Sequence, residues 1–457
     1  MKQQEVLKNQ LRRDFILQGN LWEVVFKIGL PLVFYNGISQ IFSMLDTLLA
    51  ASLGSKIVSI VSFVSQIQSL FTAVSAGLGV GGGILIAQAI GAQDNKQISK
   101  LITSLVTLTI ILILLIVGFA LPFAPWILYF FNIPKDLIDI GIPLFRIELV
   151  GLIFININTL YFSLARARGN SERIFVLNIL ILVTKLGISL IFIKALHFGP
   201  LSLSVASLVA QGIVSFLAIR SLFQHEGNSI IYSLQTEGIS ISETRRIITL
   251  STPVFLEKFI FNYGKAVVNA MSAEYGSMAI GALGVSNRIG GLATMPPIGI
   301  QDAEATIISQ NLGNKNTRRA FKTFTITCII NLFLGILFFI IMSYGKSFII
   351  DLFAKGDPTF SFEIAKVYNY ERYASVFLAL SSSVMGLLYG FGYTRIAMVL
   401  NLLRLFAFRI PPLWYFQHYT NLKTEGLGLA MMISNILMGI SAIIVALMLI
   451  KRWHKQH

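Results

Sequence analysis

The stretch IVSIVSFVSQIQSLFTAVSAGLGVGGGILIAQAIGAQ, residues 57–93, contains no charged side chain. An α-helix needs about 20 apolar residues to cross a lipid bilayer, and this stretch is longer. Uncharged runs of the same kind cover residues 101–134, 323–345 and 426–450. The chain of 457 residues is 55% hydrophobic and 12% charged, with a mean hydropathy of +0.75. Soluble globular chains carry about 25% charged residues, so the sequence predicts an all-α membrane protein.

Basic residues outnumber acidic ones, with 36 Lys or Arg against 21 Asp or Glu and a formal net charge of +15. On so hydrophobic a chain this excess is more typical of orientation in the membrane than of nucleic-acid binding, and we expect no nucleic-acid partner. Cys328 is the only cysteine, which excludes a disulfide or a zinc cluster within one chain. Residues 1–20 are polar and lack the features of a signal peptide, so we expect the first span to remain in the mature protein.

Apolar runs separated by loop signals predict twelve membrane spans. They cover residues 24–52, 56–90, 97–121, 138–165, 174–195, 199–222, 246–271, 278–311, 320–345, 367–390, 394–417 and 425–450. If both termini lie inside, the inside segments hold 20 Lys or Arg, the outside segments eight, and the other eight fall in or at the ends of spans. Basic residues accumulate in cytoplasmic loops. We therefore expect a multi-pass protein of the cell (inner) membrane with both termini cytoplasmic.

The second half of the chain repeats the first. At an offset of 222 residues, the identical pairs include Pro31 and Pro253, Gly54 and Gly276, Gly77 and Gly299, Gln88 and Gln310, and Gly91 and Gly313. Because prolines and glycines coincide, we expect both halves to bend their helices in the same places, with Pro31 and Pro253 as the bending residues.

This repeat predicts an N-terminal lobe at residues 1–222, a cytoplasmic linker at 223–244 and a C-terminal lobe at 245–457. Six spans in each half give both halves the same orientation in the membrane. Parallel repeats of this kind enclose a cavity between them, which is transporter architecture.

Several short motifs carry a family resemblance. They are the segment from Gly29-Leu30-Pro31 to Asp46-Thr47, the AQAIGAQD loop at residues 87–94, its counterpart SQNLGN at 309–314, the ARARGN turn at 165–170, and Arg409-Ile410-Pro411. With these motifs the chain resembles the multidrug and toxic compound extrusion (MATE) transporters over residues 22–450, within a superfamily that includes polysaccharide and lipid II flippases. The resemblance implies twelve helices in a V-shaped, two-lobed bundle. It also implies alternating access and export of small organic molecules by antiport with H⁺ or Na⁺.

Asp46 is the leading candidate for coupling. It lies in the first span, in a run from Ile28 to Ala51 without another charge. A carboxylate in a low-dielectric environment takes up a proton more readily than one in water. The resemblance places Asp46 where the DinF-like branch of the family carries its coupling aspartate. The alternative is an acid at a helix end that meets water or caps the next segment.

The chain departs from the family in ways that bear on the coupling ion. Acids on the seventh and tenth spans bind the cation in the NorM-like branch, and we align those positions with Phe261 and Leu378. We therefore expect coupling to H⁺ rather than to Na⁺, and no metal or cofactor. Glu257 lies one turn from Phe261 and is a candidate substitute, whereas an ion pair with Lys258 is the structural alternative.

Basic residues within the spans outnumber the acids. Lys185 occurs in the fifth span, where the family usually has a carboxylate network, and we expect it to face the cavity of the first lobe and Asp46. Snorkelling of Lys185 to the outer surface is the alternative. We expect a cavity that prefers anionic or zwitterionic substrates, and its candidate contacts are Lys185, Asn178, Glu257, Lys258, Lys265, Arg404 and Arg409. Pairing of these residues within the protein is the competing interpretation.

The predicted function is secondary active export of a small molecule across the lipid bilayer by a chain that works as a monomer. No Walker sequence is present, which argues against an ATP-driven pump. A flippase for lipid-linked oligosaccharide or lipid II is the first rival. A membrane-embedded transferase is the second, but the five histidines are scattered and lack the spacing of a catalytic site.

Overall fold

The computed structural model describes residues 2–131, 133, 135–194, 199–225, 239–354 and 357–456. Every regular element in these residues is helical, which confirms the predicted all-α fold. The first repeat contains α1 (Lys2–Gln18), α2 (Leu21–Ser52), α3 (Ser55–Gly91), α4 (Asn95–Ala120), α5 (Ala124–Phe130), α6 (Lys135–Ala167), α7 (Ser171–Lys194) and α8 (Leu201–His225). The second contains α9 (Ile241–Ser272), α10 (Ser277–Gly313), α11 (Thr317–Tyr344), α12 (Lys346–Ala354), α13 (Pro358–Glu371), α14 (Ser375–Gly390), α15 (Thr394–Leu402), α16 (Ile410–Tyr419) and α17 (Thr424–Gln456).

Two of the predicted spans are interrupted. The tenth consists of α13 and α14, joined by a 3₁₀ turn at Arg372–Ala374, and it begins at Pro358 rather than at residue 367. The eleventh consists of α15 and α16, separated by a π-helical turn at Leu403–Ala407. Across the described ranges, nine helical stretches are long and apolar enough to cross a membrane. Large apolar side chains are exposed on them, as at Leu115 (63%) on α4 and Phe333 (64%) on α11, which fits contact with lipid.

The backbone repeats along with the sequence. Left-handed φ angles occur in matching loops, at Gly54 (117°) and Gly276 (94°), at Gln93 (61°) and Lys315 (57°), and at Gly169 (71°) and Gly392 (78°). The first two pairs are separated by 222 residues and the third by 223. Glycine lacks the Cβ that makes positive φ costly, so the glycine pairs mark turns that both halves need.

Equivalent helices also begin in the same way. The Asp94 side chain accepts a hydrogen bond from the Gln97 amide at 2.9 Å and caps α4. Asn316, which is 222 residues later, accepts from the Arg319 amide at 3.0 Å and caps α11. Both side chains satisfy an amide that the first turn of a helix leaves unbonded.

The chain forms two compact units. Unit 1 consists of residues 1–18 and 41–259, and unit 2 of residues 19–40 and 260–457. Helix α2 therefore contributes its first part to unit 2 and its end to unit 1, and α9 does the reverse. The lobes predicted from the repeat, residues 1–222 and 245–457, are defined by sequence and remain a prediction. Residues 226–238 of the predicted linker lie outside the described residues.

Each unit has its own core. In unit 1, Phe145, Leu149 and Leu152 on α6 are buried together with Ile60 on α3. In unit 2, Tyr368 on α13 is fully buried, and its hydroxyl donates to the Met342 carbonyl at 2.7 Å. Glycine permits close helix packing in unit 2: a Cβ at Gly390 on α14 would lie 2.5 Å from Ile308 on α10.

Candidate functional site

Asp46 and Lys185 meet within unit 1. The Lys185 ammonium on α7 donates to Oδ2 of Asp46 on α2 and forms an ion pair with it. The side chains are 25% and 28% exposed, so the pair is partly shielded but still within reach of water. A charge-assisted hydrogen bond between such groups is stronger than one between neutral groups. The structure thus brings the two predicted residues together across 139 positions of sequence.

Glu148 on α6 belongs to the same site, although the sequence analysis did not single it out as a site residue. The Gln68 side chain on α3 donates to its Oε2 at 2.7 Å, and the Ser204 hydroxyl on α8 is a second partner. Glu148 interacts electrostatically with both Lys185 and Asp46. The site therefore contains two carboxylates and one ammonium, contributed by three helices.

The two prolines lie inside helices, Pro31 in α2 and Pro253 in α9. Two residues after each proline, the helix packs closely on a glycine of the same unit. In unit 2 a Cβ at Gly299 would lie 2.6 Å from the Val33 amide, and in unit 1 a Cβ at Gly77 would lie 3.0 Å from the Phe255 amide. Because proline removes one helical hydrogen bond, both packed segments adjoin a point where the helix is easier to bend. The bending role itself remains a prediction.

The other candidate site residues in unit 1 are Asn178, Glu257 and Lys258. Asn178 is buried, and its amide donates to the Ile174 carbonyl of its own helix at 2.8 Å. This bond is typical of an amide that stabilises its own helix rather than one presented to a ligand. Glu257 on α9 is buried at 6% exposure, and its neighbour Lys258 is half-buried. Their roles in the cavity remain predictions.

Two of the candidate cations in unit 2 share an aromatic ring. The Lys265 ammonium lies 5.0 Å and the Arg404 guanidinium carbon 5.3 Å from the centre of the Phe261 ring. An aromatic face attracts a cation through its quadrupole, so Phe261 helps to place both charges. Phe261 is the residue that we aligned with an acid of the NorM-like branch, and here its ring contacts two cations.

Arg409 is held in a buried polar cluster with Arg404. Its Nε donates to the Ser434 hydroxyl at 2.9 Å and its Nη2 to Asn435 Oδ1 at 2.8 Å. Arg404, in the π-helical turn, donates from Nε to the same Asn435 oxygen at 2.9 Å. Two guanidiniums therefore converge on one amide of α17.

Glu371 supplies the opposite charge in this cluster. It is 8% exposed, its Oε2 accepts a hydrogen bond from Ser286, and it interacts electrostatically with Arg409 and Arg404. The sequence analysis missed it, although the repeat contained the signal. Glu371 follows Glu148 by 223 residues, the same offset that relates Gly169 to Gly392.

Glu304 on α10 is a further buried acid. Its side chain is 0% exposed, and neither carboxylate oxygen has a hydrogen-bond partner. The nearby Thr327 hydroxyl donates instead to the Phe324 carbonyl at 2.9 Å. Burial of a carboxyl group without a hydrogen-bond partner costs free energy. No group of three or more His, Cys, Asp or Glu in the described part of the chain could hold a metal ion.

Comparison with known proteins agrees with this architecture. The MatE family model matches residues 31–193 and again 253–415, so that both bounds of the second match lie 222 residues beyond those of the first. The probable multidrug resistance protein YpnP of Bacillus subtilis is 21% identical over 417 residues, which are 91% of this chain and 92% of that protein. The multidrug export protein MepA of Staphylococcus haemolyticus is 20% identical over 75% of each chain.

Solved structures show the same fold. A MATE transporter in complex with MaL6 superposes with a TM-score of 0.91 at 18% identity, covering 96% of this chain and 99% of that one. The outward-facing conformation of a multidrug resistance MATE transporter of the MOP superfamily gives a TM-score of 0.90 at 19% identity, covering 96% and 98%. The family model covers more than half of the chain in two copies. This chain therefore belongs to the MatE (MATE) family, and is a multi-pass membrane protein and a secondary transporter, not an enzyme.

Proposed function

We propose that this protein exports small organic molecules by antiport with protons, and that Asp46 is the proton-binding residue. The relatives named as multidrug export or multidrug resistance proteins support efflux of small molecules. The observation that carries the proposal of proton coupling is the Asp46–Lys185 ion pair, half-shielded in unit 1. As in the DinF-like branch, the coupling acid is on the first span.

The pair gives protonation a structural consequence. While Asp46 is ionised, it holds the Lys185 ammonium and ties α2 to α7. A proton on Asp46 cancels its charge and releases Lys185, because a neutral carboxyl attracts an ammonium far less than a carboxylate does. Proton uptake thereby favours one arrangement of α2, and substrate favours the other. Each ligand shifts the equilibrium only through its different affinity for the two states.

The substrate that this protein favours is anionic or zwitterionic. Lys265 and Arg404 flank Phe261 in unit 2 and are the cations best suited to attract a negative group. Arg409 adds to the positive charge of this region, but its Nε and Nη2 already donate to Ser434 and Asn435. The protein acts in the cell membrane as a monomer. The loop charges support a cytoplasmic position for both termini.

Transport into liposomes tests this function. The purified chain is reconstituted and given either a pH gradient or a Na⁺ gradient, with the fluorescent cation ethidium and the fluorescent anion carboxyfluorescein as probes. We expect the pH gradient to drive carboxyfluorescein, and Asp46→Asn to abolish that transport because an amide takes up no proton. Asp351→Asn, the same change at an exposed acid of α12, is the control.

Three results would contradict parts of the proposal. Proton-driven transport by Asp46→Asn would remove Asp46 from its role. Transport driven only by Na⁺ would replace the coupling ion. Export of ethidium without carboxyfluorescein would reverse the expected substrate charge.

A further inference from the structure

Glu148 and Glu371 occupy equivalent positions in the two repeats. They are separated by 223 residues, and each interacts electrostatically with a cation of its own unit, Glu148 with Lys185 and Glu371 with Arg409. A helix equivalent in the repeat also supplies each hydrogen-bond donor, since Gln68 lies on α3 and Ser286 on α10. The two units therefore contain related charge clusters.

The clusters differ in their balance of charge. Unit 2 has one carboxylate and two guanidiniums, and the guanidiniums are held by Asn435 and Ser434. Unit 1 has two carboxylates and one ammonium, because it also contains Asp46, whose counterpart 222 residues later is Val268. A lysine ammonium on a flexible four-carbon stem changes partner more easily than a guanidinium fixed by several hydrogen bonds. Of the two clusters, therefore, the one in unit 1 offers a single cation, Lys185, two alternative acidic partners, Asp46 and Glu148.

We propose that Glu148 is the second carboxylate of the Asp46 site, and that the Lys185 ammonium passes from Asp46 to Glu148 when Asp46 takes up a proton. This inference rests on the proposed coupling role of Asp46. The proton binds one Asp46 oxygen, and the ammonium keeps its own protons and exchanges one anionic partner for the other. Glu148 gives the partly shielded ammonium a second anionic partner when Asp46 releases it, so less of its charge has to be met by water alone.

The charged groups that act on Glu148 are Lys185 on α7 and Asp46 on α2, and its uncharged partners are Gln68 on α3 and Ser204 on α8. Helices α4 and α5 also pack against α6, and among the described residues they contribute no charged group that acts on Glu148. Glu148 acts on the Asp46–Lys185 pair in two ways. Its negative charge opposes a second negative charge nearby, and it competes for the ammonium that stabilises ionised Asp46.

The infrared difference spectrum of the purified protein in lipid, recorded between high and low pH, measures this coupling without a substrate. Protonation of a carboxylate produces a carboxylic C=O band, and Asp46→Asn identifies the component that belongs to Asp46. We expect Glu148→Gln to move the midpoint of that component about one pH unit lower, because Lys185 then has Asp46 as its only acid. The glutamine is isosteric and can still accept the hydrogen bond from Gln68. Glu148→Asp keeps the charge and should return the midpoint most of the way to its value in the parent chain.

Glu371→Gln is the matched control, since it makes the same change at the equivalent position of the other unit. It should leave the midpoint of the Asp46 component in place. An unchanged midpoint in Glu148→Gln would overturn the inference while leaving Asp46 as the coupling residue, and so would an equal shift in Glu371→Gln. A band that Asp46→Asn does not alter would refute the proposed function itself.

Discussion

Arg409 is a cation enclosed by protein, with a relative exposure of 5%. Its guanidinium donates to Ser434 and Asn435, and Glu371 provides the opposing charge. Such a cluster is expensive to desolvate and adds little stability compared with apolar packing, but removal of one member leaves the others uncompensated. The cluster therefore ties the turn before α16 to α13 and α17.

Arg409→Gln should destabilise the protein by about 3 kcal/mol or more, because Glu371 then has only Arg404 as a counter-ion and Ser434 and Asn435 lose a charged donor. Thermal unfolding in detergent, followed by tryptophan fluorescence, measures the loss as a lower melting temperature. Arg395→Gln, at an exposed arginine of α15, is the control and should melt like the parent chain. Equal melting of Arg409→Gln and the parent would show that the cluster does not stabilise unit 2.

At the scale of elements, the helices that contain the prolines are each held by a glycine contact. Gly77 on α3 faces Phe255 and Ser251 of α9 in unit 1, and Gly299 on α10 faces Val33 of α2 in unit 2. The contacts are related by the repeat, since Gly299 follows Gly77 and Phe255 follows Val33 by 222 residues. Each glycine lets the neighbouring proline-containing helix pack against it backbone to backbone, next to the turn that the proline makes easier to bend.

Alanine at either glycine should force the helices apart. A Cβ at Gly77 would lie 2.8 Å from the Ser251 carbonyl, and one at Gly299 would lie 2.6 Å from the Val33 amide. We expect each substitution to cost about 1–3 kcal/mol, as overpacking does, and to lower the melting temperature. Gly187→Ala meets no atom within 4 Å and is the control. Unchanged melting temperatures in both variants would show that the helices accommodate the added methyl group without loss of stability.

At the scale of the whole molecule, the repeat determines topology. The family model matches twice at a spacing of 222 residues, and matching loops share left-handed turns. Two copies with six predicted spans each should enter the membrane in the same direction. We therefore expect equivalent loops of the two repeats on the same side.

Labelling of single cysteines tests this topology. In a Cys328→Ser background, Lys96→Cys and Arg318→Cys lie at exposed, equivalent positions in the first turns of α4 and α11. Lys423→Cys lies in an exposed loop that we expect on the opposite side. A membrane-impermeant maleimide should label the first two in inverted vesicles and the third in intact cells, if basic loops face the cytoplasm. Labelling of Lys96→Cys and Arg318→Cys from opposite sides would show inverted repeats.

Much of the fold could be predicted because its signals are local. A membrane span needs an uninterrupted apolar run, so helices such as α4 and α11 were evident from their own residues. The turns at Gly54 and Gly276 were marked by residues that tolerate positive φ. The start of the tenth span was less evident, because α13 contains Glu363, Lys366 and Glu371 and does not read as apolar.

The sequence by itself determined an all-α, duplicated membrane transporter and pointed to Asp46 and Lys185. Only the tertiary structure showed that Glu148 interacts electrostatically with both of them, and that Arg404 and Arg409 converge on Asn435. Spans that are apolar on all sides carry no periodic signal for which face turns inward. The rotation of each helix, and with it the partner of each buried charge, is set by packing between residues far apart in the chain.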